Sequence, residues 1–259
     1  MSATTVLTRP VSAGSMATAR IGQCDYGSHF QPITTRHGQV MAHEALLRPV
    51  RHGALAGSIH IADVFLHGLP HAEFVLRDQL IRLLHCFNFS RAGHAGKLFL
   101  NMHSLAFVEC AKNGDLSVAL CRELGFEPGR VVLEILEDAC AGERELEHAR
   151  DAFAQLGFMV AIDDFGTGAS NARRVEALRP DYVKLDRSYL AAAQRNPGFM
   201  RKACRYTAAL AGAGVQMVAE GVETPSDVDS VSELGGDLMQ GYLIGRRTAM
   251  RQRHYAEMM

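Results

Sequence analysis

The amino-acid sequence predicts an α/β fold, namely a TIM-like (β/α)8 barrel. Its length of 259 residues is close to that of typical barrels of this kind, which form a single domain. From about residue 28 onward, short apolar runs rich in β-branched residues alternate with longer amphipathic stretches. This pattern is typical of parallel strands joined by crossover helices. Nearly every predicted strand also ends in a polar residue, and a closed barrel would bring these ends together at one mouth.

Eight strands are predicted in chain order. They cover residues 29–34, 39–46, 97–102, 130–136, 158–164, 182–186, 215–220 and 237–242. Apolar residues at helical spacing predict helices over residues 143–157, 199–214 and 225–235, each ending at a glycine. The long connection from Arg48 to Gly96 is predicted to hold one helix from Ile61 onward and another over residues 74–87.

An open, doubly wound sheet would also fit alternating strands and helices, but it would gather its ligand residues at one crevice. In this sequence the polar residues are spread over the ends of nearly all strands. They are Glu44, Asn101, Glu134, Asp163, Asp164, Lys184, Asp186, Glu220 and Gln240. Closure into a barrel explains this distribution better than an open sheet does.

The overall composition is that of a folded protein without a strong charge. Apolar residues make up 47% of the chain and charged residues 21%, which is near the globular average and permits a sizeable core. The formal net charge of -1 provides no overall basic field, so we expect neither DNA binding nor membrane association. An anionic ligand would have to be bound by a local site.

The cysteines and the N-terminal residues bear on the cellular compartment. Six cysteines are scattered without a Cys-x-x-Cys pair, which argues against a zinc site and a disulfide framework and favours a reducing compartment. The first twenty residues lack the apolar segment of a secretory signal. We therefore expect a cytoplasmic protein with a flexible leader over residues 1–27 and one barrel domain over residues 28–259.

Two adjacent carboxylates, Asp163 and Asp164, follow an apolar strand and precede the sequence Phe165-Gly166-Thr167-Gly168. Successive strand side chains point to opposite faces, so both carboxylates can meet one ligand only if the chain turns there. The glycines permit such a turn. Taken alone, the motif is equally consistent with a solvated turn.

Three further carboxylates, Glu44, Glu134 and Glu220, stand among apolar neighbours, where an unpaired charge has a large desolvation cost. Any one of them could be satisfied by an arginine or by backbone amides, but this explanation does not extend readily to all three. Oxygen-rich ligation without sulfur suits Mg²⁺ or Mn²⁺. Two such ions, bridged by a carboxylate for which Asp163 is the candidate, could polarise a phosphodiester and activate a water. Lys184 could orient or deprotonate that water, or neutralise charge in the transition state.

Seven motifs in this order and spacing resemble the EAL family of cyclic di-GMP phosphodiesterases over about residues 28–245. They are Glu44-Ala45-Leu46-Leu47-Arg48, Asn101, Glu134-Ile135-Leu136-Glu137, Asp163-Asp164-Phe165-Gly166-Thr167-Gly168, Lys184-Leu185-Asp186, Ala219-Glu220-Gly221-Val222-Glu223 and Gln240-Gly241-Tyr242. The first tripeptide alone would carry little weight, whereas the ordered set is specific.

The resemblance implies a barrel with an antiparallel first strand, two Mg²⁺ or Mn²⁺ ions, hydrolysis of cyclic di-GMP to linear pGpG, and a homodimer. It implies metal ligation by Glu44, Asn101, Glu134, Asp163, Asp164 and Glu220. It implies catalytic roles for Lys184, Glu220, Glu223 and Glu44, with Lys184 serving the attacking water. It implies substrate contacts by Gln31, Leu47, Arg48, Asp186 and Gln240, and anchoring by Glu137 of the loop that begins at Gly166.

The sequence departs from the family pattern at two places. Leu136 stands where the family often has threonine, and no proline follows Tyr242 within the next few residues. Alternatives to hydrolysis of cyclic di-GMP are a catalytically silent receptor or interaction domain, and an enzyme for another phosphodiester. Silent family members usually lack metal ligands, and none is missing from this sequence, so we favour the active enzyme.

Overall fold

The computed structural model of the protein describes residues 6–8, 16–21, 23–51, 54–55, 69–136, 141–166, 172–246 and 248. Over these residues the strands form one sheet. The strands are β1 (Val6–Thr8), β2 (Thr18–Ile21), β3 (Cys24–Thr35), β4 (Val40–Arg51), β5 (Ala54–Leu55), β6 (Lys97–Met102), β7 (Val131–Ile135), β8 (Met159–Phe165), β9 (Tyr182–Leu185), β10 (Gln216–Ala219) and β11 (Leu238–Met239).

The connections between the strands are mainly helical. The helices are α1 (His71–Ala92), α2 (Ser104–Ala111), α3 (Gly114–Glu123), α4 (Glu143–Gln155), α5 (Ala172–Leu178), α6 (Arg187–Arg195), α7 (Pro197–Gly212) and α8 (Pro225–Glu233), with a 3₁₀ turn at Pro128–Arg130. Among the helices in the described ranges, none combines the length and the hydropathy needed to span a bilayer.

The sheet closes into a barrel because β3 pairs with both β4 and β11. Around the barrel the order is β3, β11, β10, β9, β8, β7, β6 and β4. Strand β3 is antiparallel to both of its neighbours, and the other barrel strands are parallel. The predicted (β/α)8 barrel with one antiparallel strand is therefore confirmed, and each predicted strand has a counterpart.

The predicted helices over residues 74–87, 143–157, 199–214 and 225–235 correspond to α1, α4, α7 and α8. Helix α7 starts two residues earlier than predicted, because Asn196 Oδ1 accepts hydrogen bonds from the amides of Gly198 and Phe199 and Pro197 occupies the first turn. The helix predicted from Ile61 onward lies outside the described residues.

The ordered sheet begins before residue 28, where the sequence predicted the start of the barrel domain. Strand β2 pairs antiparallel with the first part of β3. Ala17 and Ala19 are buried in an apolar cluster with residues of α1. In addition, the Asn88 side chain of α1 donates to Ala17 O at 3.0 Å and accepts from Ala17 N at 2.8 Å. Apolar burial and these two hydrogen bonds hold this segment against the barrel.

Candidate metal centre and active site

The barrel interior has an apolar layer beneath a polar one. The apolar layer consists of Ile33, Ala42, Phe99, Val132, Ala161, Tyr182 and Val218. Because strand side chains alternate with period two, the inward-facing residue two positions further along each parallel strand lies one layer closer to the mouth. That layer contains Glu44, Asn101, Glu134, Asp163, Lys184 and Glu220. In the antiparallel strand β3 the corresponding residue precedes Ile33 by two positions and is Gln31, which pairs with Glu44 across the ladder.

Lys184 on β9 lies at the centre of the polar layer. Its side chain is 1% exposed, and its Nζ contacts one oxygen from each of four carboxylates. The distances are 2.7 Å to Glu220, 3.2 Å to Asp163 and 3.4 Å to Glu44. The fourth contact is a hydrogen bond to Glu134 Oε1. The predicted gathering of these residues at one end of the barrel is therefore present in the structure.

Two side-chain amides donate hydrogen bonds to the Glu44 carboxylate. Asn101 Nδ2 donates to Glu44 Oε1 at 3.0 Å, and Gln240 Nε2 donates to Glu44 Oε2. Glu44 is 6% exposed and Gln240 is 3% exposed, so both contacts are sheltered from water. The carbonyl oxygens of both amides stay available as neutral ligands or acceptors at the same place.

The turn that separates Asp163 from Asp164 is made by Asp164 itself. Its φ is 50°, in the left-handed region, and the pairing of β8 with β9 is irregular between Ile162 and Phe165. The sequence indicated that the following glycines permit a turn, and Gly166 also has a positive φ, of 106°. Because the bulge lies within the pair, Asp163 faces the cluster and the chain direction changes immediately after it.

The electrostatics of the cluster follow from burial and from the excess of carboxylates. Burial, reinforced by the charge of Asp163, raises the pKa of Glu134 well above its ordinary value. Burial also raises the pKa of Glu220, to about 7, although Lys184 opposes this shift. Burial alone would lower the pKa of Lys184, but the surrounding carboxylates outweigh it and raise that pKa well above its usual range. The cluster is therefore short of positive charge.

The residues at this place fit a divalent cation. Ligand oxygens of Glu134, Asp163 and Glu220 lie within 4.8 Å of one another. Glu134 Oε2 is buried and has no hydrogen-bond partner among the described residues. One ammonium cannot balance four buried carboxylates, and a buried charge without compensation is costly. Carboxylate and amide oxygens are the ligands that Mg²⁺ and Mn²⁺ prefer.

Several predicted site residues lie outside the cluster. Leu47 is 3% exposed and packs in the apolar cluster against α1, so its side chain points away from the barrel interior. The Arg48 guanidinium donates to Leu47 O at 2.9 Å. Asp186 caps α6 by accepting from Ser188 N at 2.8 Å. Glu137 lies outside the described residues.

Glu223, predicted to be catalytic, is not brought to the cluster. Its carboxylate accepts a hydrogen bond from Arg187 Nη1 at 2.6 Å, at the more exposed rim of the mouth. Arg187 was missed by the sequence analysis, although it directly follows the Lys184-Leu185-Asp186 motif. Its pairing depends on how α6 lies beside the segment after β10, which the sequence does not reveal.

The two departures from the family pattern lie in regular structure. Leu136 N donates to Met102 O at 3.1 Å, which continues the pairing of β7 with β6 by one residue. From Tyr242 onward the chain is helical, and Gly245 N donates to Gly241 O at 3.0 Å. Leu243 N donates to Val222 O at 3.1 Å, so this turn packs on the segment after β10.

Curated relatives align with this chain over most of its length. The chain is 27% identical over 225 residues to the bifunctional diguanylate cyclase/cyclic di-GMP phosphodiesterase MucR of Pseudomonas aeruginosa, covering 84% of this chain and 32% of that protein. It is 27% identical over 233 residues to the probable cyclic di-GMP phosphodiesterase PdeA of Escherichia coli, covering 87% of this chain and 31% of that protein. The chain thus spans about a third of the length of these relatives.

Solved structures share the fold at lower identity. A standalone EAL protein from Vibrio cholerae, in a form bound to c-di-GMP, aligns with a TM-score of 0.71 and 22% identity, covering 85% of this chain and 90% of that one. The manganese and cyclic di-GMP complex of BlrP1 from Klebsiella pneumoniae aligns with a TM-score of 0.73 and 19% identity, covering 93% of this chain and 58% of that one. The sequence model of the EAL domain matches residues 16–247. The chain belongs to the EAL domain family.

Proposed function

We propose that this protein is a metal-dependent phosphodiesterase that hydrolyses cyclic di-GMP to linear pGpG. The observation that carries the proposal is the contact of Lys184 with four carboxylates from four barrel strands, at the carboxyl ends where barrel enzymes place their chemistry. The relatives named as cyclic di-GMP phosphodiesterases support the choice of substrate.

The metal ligands in this proposal are Glu44, Asn101, Glu134, Asp163, Asp164 and Glu220, which would hold two Mg²⁺ or Mn²⁺ ions. When bound, such ions polarise the phosphodiester and lower the pKa of a coordinated water. The manganese bound by the Klebsiella protein supports a divalent ion here. Carboxylates of the chain would hold the ions, and the bulge at Asp164 redirects the chain at the end of β8.

Lys184 would act on the attacking water. Its contacts with four carboxylates hold it as an ammonium, which donates hydrogen bonds and neutralises negative charge that develops on the phosphoryl oxygens. Glu220 is the most exposed of the four carboxylates, with 19% of its side chain accessible. It would meet the incoming substrate and accept the water's proton.

The remaining residues of the mouth would orient the substrate. Gln31 and Gln240 flank Glu44, by strand pairing and by a hydrogen bond respectively. Arg48 lies close enough to Glu44 for an electrostatic interaction between the two side chains. Its guanidinium would pair with a substrate phosphate. Asp186 would reach the base, whereas Leu47 would contribute only its backbone.

Further parts of the proposal come from the composition of the chain and from the family resemblance. The protein would work in the cytoplasm as a homodimer, without binding DNA. Glu137 would anchor the loop that begins at Gly166. Light scattering on the purified protein would measure the mass of the dimer directly.

The test is to incubate the purified protein with cyclic di-GMP and either Mg²⁺ or Mn²⁺ and to follow pGpG by chromatography. We expect product with the wild-type protein and none with Lys184→Met prepared in parallel. Absence of pGpG at every protein concentration and with both ions would refute the proposal. Binding of cyclic di-GMP in calorimetry without product would identify the protein as a receptor instead.

A further inference from the structure

Arg187 and Glu223 form an ion pair at the rim of the candidate site. The Nη1 atom of Arg187 lies 2.6 Å from Glu223 Oε1. Arg187 is the first residue of α6, and Glu223 lies in the segment between β10 and α8. The two side chains are 59% and 41% exposed, so this pair is open to water and its energy is modest.

The same arginine also covers the backbone of Gly221. This glycine has a φ of +62°, and a Cβ atom built on it would lie 2.8 Å from Arg187 Cβ and 3.0 Å from its Cγ and Cδ. The aliphatic part of Arg187 therefore lies directly on the chain between Glu220 and Glu223. Its charged end and its stem act on the same short segment.

A second contact ties α6 to the far end of that segment. Gln194 Nε2 donates to Asp227 Oδ1 at 2.9 Å, and Asp227 Oδ2 accepts from the amides of Glu223 at 3.0 Å and Thr224 at 2.8 Å. Helix α6 thus holds the segment through Arg187 at its first turn and through Gln194 at its last turn.

Glu220, at the start of the segment, is held by the strand that leads into α6. Glu220 N donates to Leu185 O at 3.0 Å, and Glu220 Oε1 lies 2.7 Å from Lys184 Nζ. The short stretch from Lys184 to Arg187 therefore contacts the segment at Glu220, Gly221 and Glu223. These contacts fix the backbone at Glu220, so displacement of that backbone away from the cluster would require this stretch and the segment to separate.

We infer that the Arg187–Glu223 ion pair is a positioning device that fixes Glu220 in the metal site. Glu223 then holds its own loop in position and does not contact the substrate. This changes the catalytic role predicted for it. This inference rests on the proposed metal-dependent function, because the residue that the ion pair positions is a proposed metal ligand.

The test uses Arg187→Gln, Glu223→Gln and the double variant, with Arg195→Gln at the other end of α6 as the matched control. The dissociation constant for Mn²⁺ is measured by calorimetry without substrate. Hydrogen exchange of the amides of residues 220–224 is measured on metal-free protein. The kcat and KM for cyclic di-GMP are measured at saturating Mn²⁺.

We expect each single variant to weaken Mn²⁺ binding by roughly two- to fivefold, the size expected for an exposed pair. Exchange of residues 220–224 should become faster by a similar factor, and KM for cyclic di-GMP should stay unchanged. The double variant should bind Mn²⁺ no more weakly than either single variant, because all three lack the same interaction. Arg195→Gln should match the wild type in all measurements.

Native Mn²⁺ affinity or native exchange in both single variants would overturn the inference. A raised KM with native Mn²⁺ affinity would also overturn it, because the pair would then contact the substrate. A wild-type protein that binds Mn²⁺ but forms no pGpG would refute the proposed function, and the Mn²⁺ affinities and exchange rates would still decide the inference.

Discussion

The Gln240 side chain donates a hydrogen bond to the Glu44 carboxylate across 196 positions of the chain. Gln240 follows the last barrel strand, β11, whereas Glu44 is on β4, and the antiparallel strand β3 lies between them. Closure of the sheet through β3 is what brings the first and last parts of the barrel sequence to the same carboxylate. The metal site therefore depends on the completed barrel and cannot form on any one half of it.

Replacement of Glu44 by alanine should abolish turnover while the fold is retained. The change removes a carboxylate that accepts from Asn101 and Gln240 and contacts Lys184. Loss of a metal-bound carboxylate should lower kcat by at least about 100-fold, since even groups that only support ligands cost ~10- to 100-fold. Activity assays and far-UV circular dichroism measure the two effects.

Glu44→Gln keeps the side-chain volume and an acceptor for Asn101, and it should be equally inactive because it removes the charge. Glu123→Ala, at an exposed site on α3, is the matched control and should retain full activity. Turnover of Glu44→Ala at the wild-type rate would contradict the metal assignment.

Replacement of Lys184 by methionine should destabilise the metal-free protein. It leaves Glu44, Glu134, Asp163 and Glu220 without their shared cation in a buried place. Removal of one partner of a buried charge cluster costs about 3–5 kcal/mol. Urea unfolding with and without Mn²⁺ measures this loss, and Mn²⁺ should stabilise the variant more than the wild type, because it supplies the missing positive charge.

The exposed Lys202 on α7 offers a control, and Lys202→Met should unfold as the wild type does. Equal stabilisation of wild type and Lys184→Met by Mn²⁺ would show that the ion does not bind at this cluster.

The barrel and most of its polar layer could be predicted from the sequence because both follow from the alternation of strand side chains between the two faces of the sheet. An apolar residue followed two positions later by a carboxylate, amide or lysine, as in Val132 and Glu134, marks an inward-facing strand that reaches the mouth. The same alternation places Leu47 on the outer face, where it packs against α1. The family motif implies a substrate contact for Leu47, which this orientation of its side chain does not support.

Contacts that depend on how separate elements lie beside each other could not be predicted. The positive φ of Asp164 arises where β8 ends against β9, and aspartate tolerates that conformation, whereas the sequence indicated only that the glycines after it permit a turn. The pairing of Glu223 with Arg187 depends on the placement of α6 relative to the segment after β10. Neither relationship leaves a periodic signal in the sequence.

Gly241→Ala should disrupt the mouth beside Gln240. A Cβ atom at this position would lie 2.3 Å from Val222 N and 2.4 Å from Val222 O, which are backbone atoms that cannot move aside cheaply. The amide of Val222 already donates to Gln240 O at 3.0 Å. We expect a loss of at least about 1–3 kcal/mol in the free energy of unfolding, as for other overpacked sites, together with a loss of activity.

Gly245→Ala is the matched control four residues later, because no atom of the described residues lies within 4 Å of a Cβ atom there. Thermal melting and product assays on both variants decide the point. If Gly241→Ala were as stable and as active as Gly245→Ala, the close approach of residues 241 and 222 would be wrong.

His85 should make the stability of the protein depend on pH. Its ring is 3% exposed, and Nδ1 shares a 2.8 Å hydrogen bond with Ser28 Oγ, which also accepts from Asn88 at 3.0 Å. Burial, assisted by the charges of Arg82 and Arg48, lowers the pKa of His85 to about 3. The unfolded chain has the ordinary value near 6.5. Between these two values the unfolded state therefore binds a proton that the folded state does not.

The contribution of His85 to stability is thus fully present above pH 6.5 and is lost as the pH falls toward 3, by about 1.4 kcal/mol per pH unit. His85→Asn keeps a polar partner for Ser28 but does not titrate, so the difference in unfolding free energy between wild type and variant should change by this slope. Urea unfolding at pH 7.5, 6.5, 5.5 and 4.5 measures it, and the titration of carboxylates cancels because both proteins share it. Parallel losses of stability in the two proteins below pH 6.5 would show that His85 takes up its proton without unfolding, and that its ring is accessible to water in the native state.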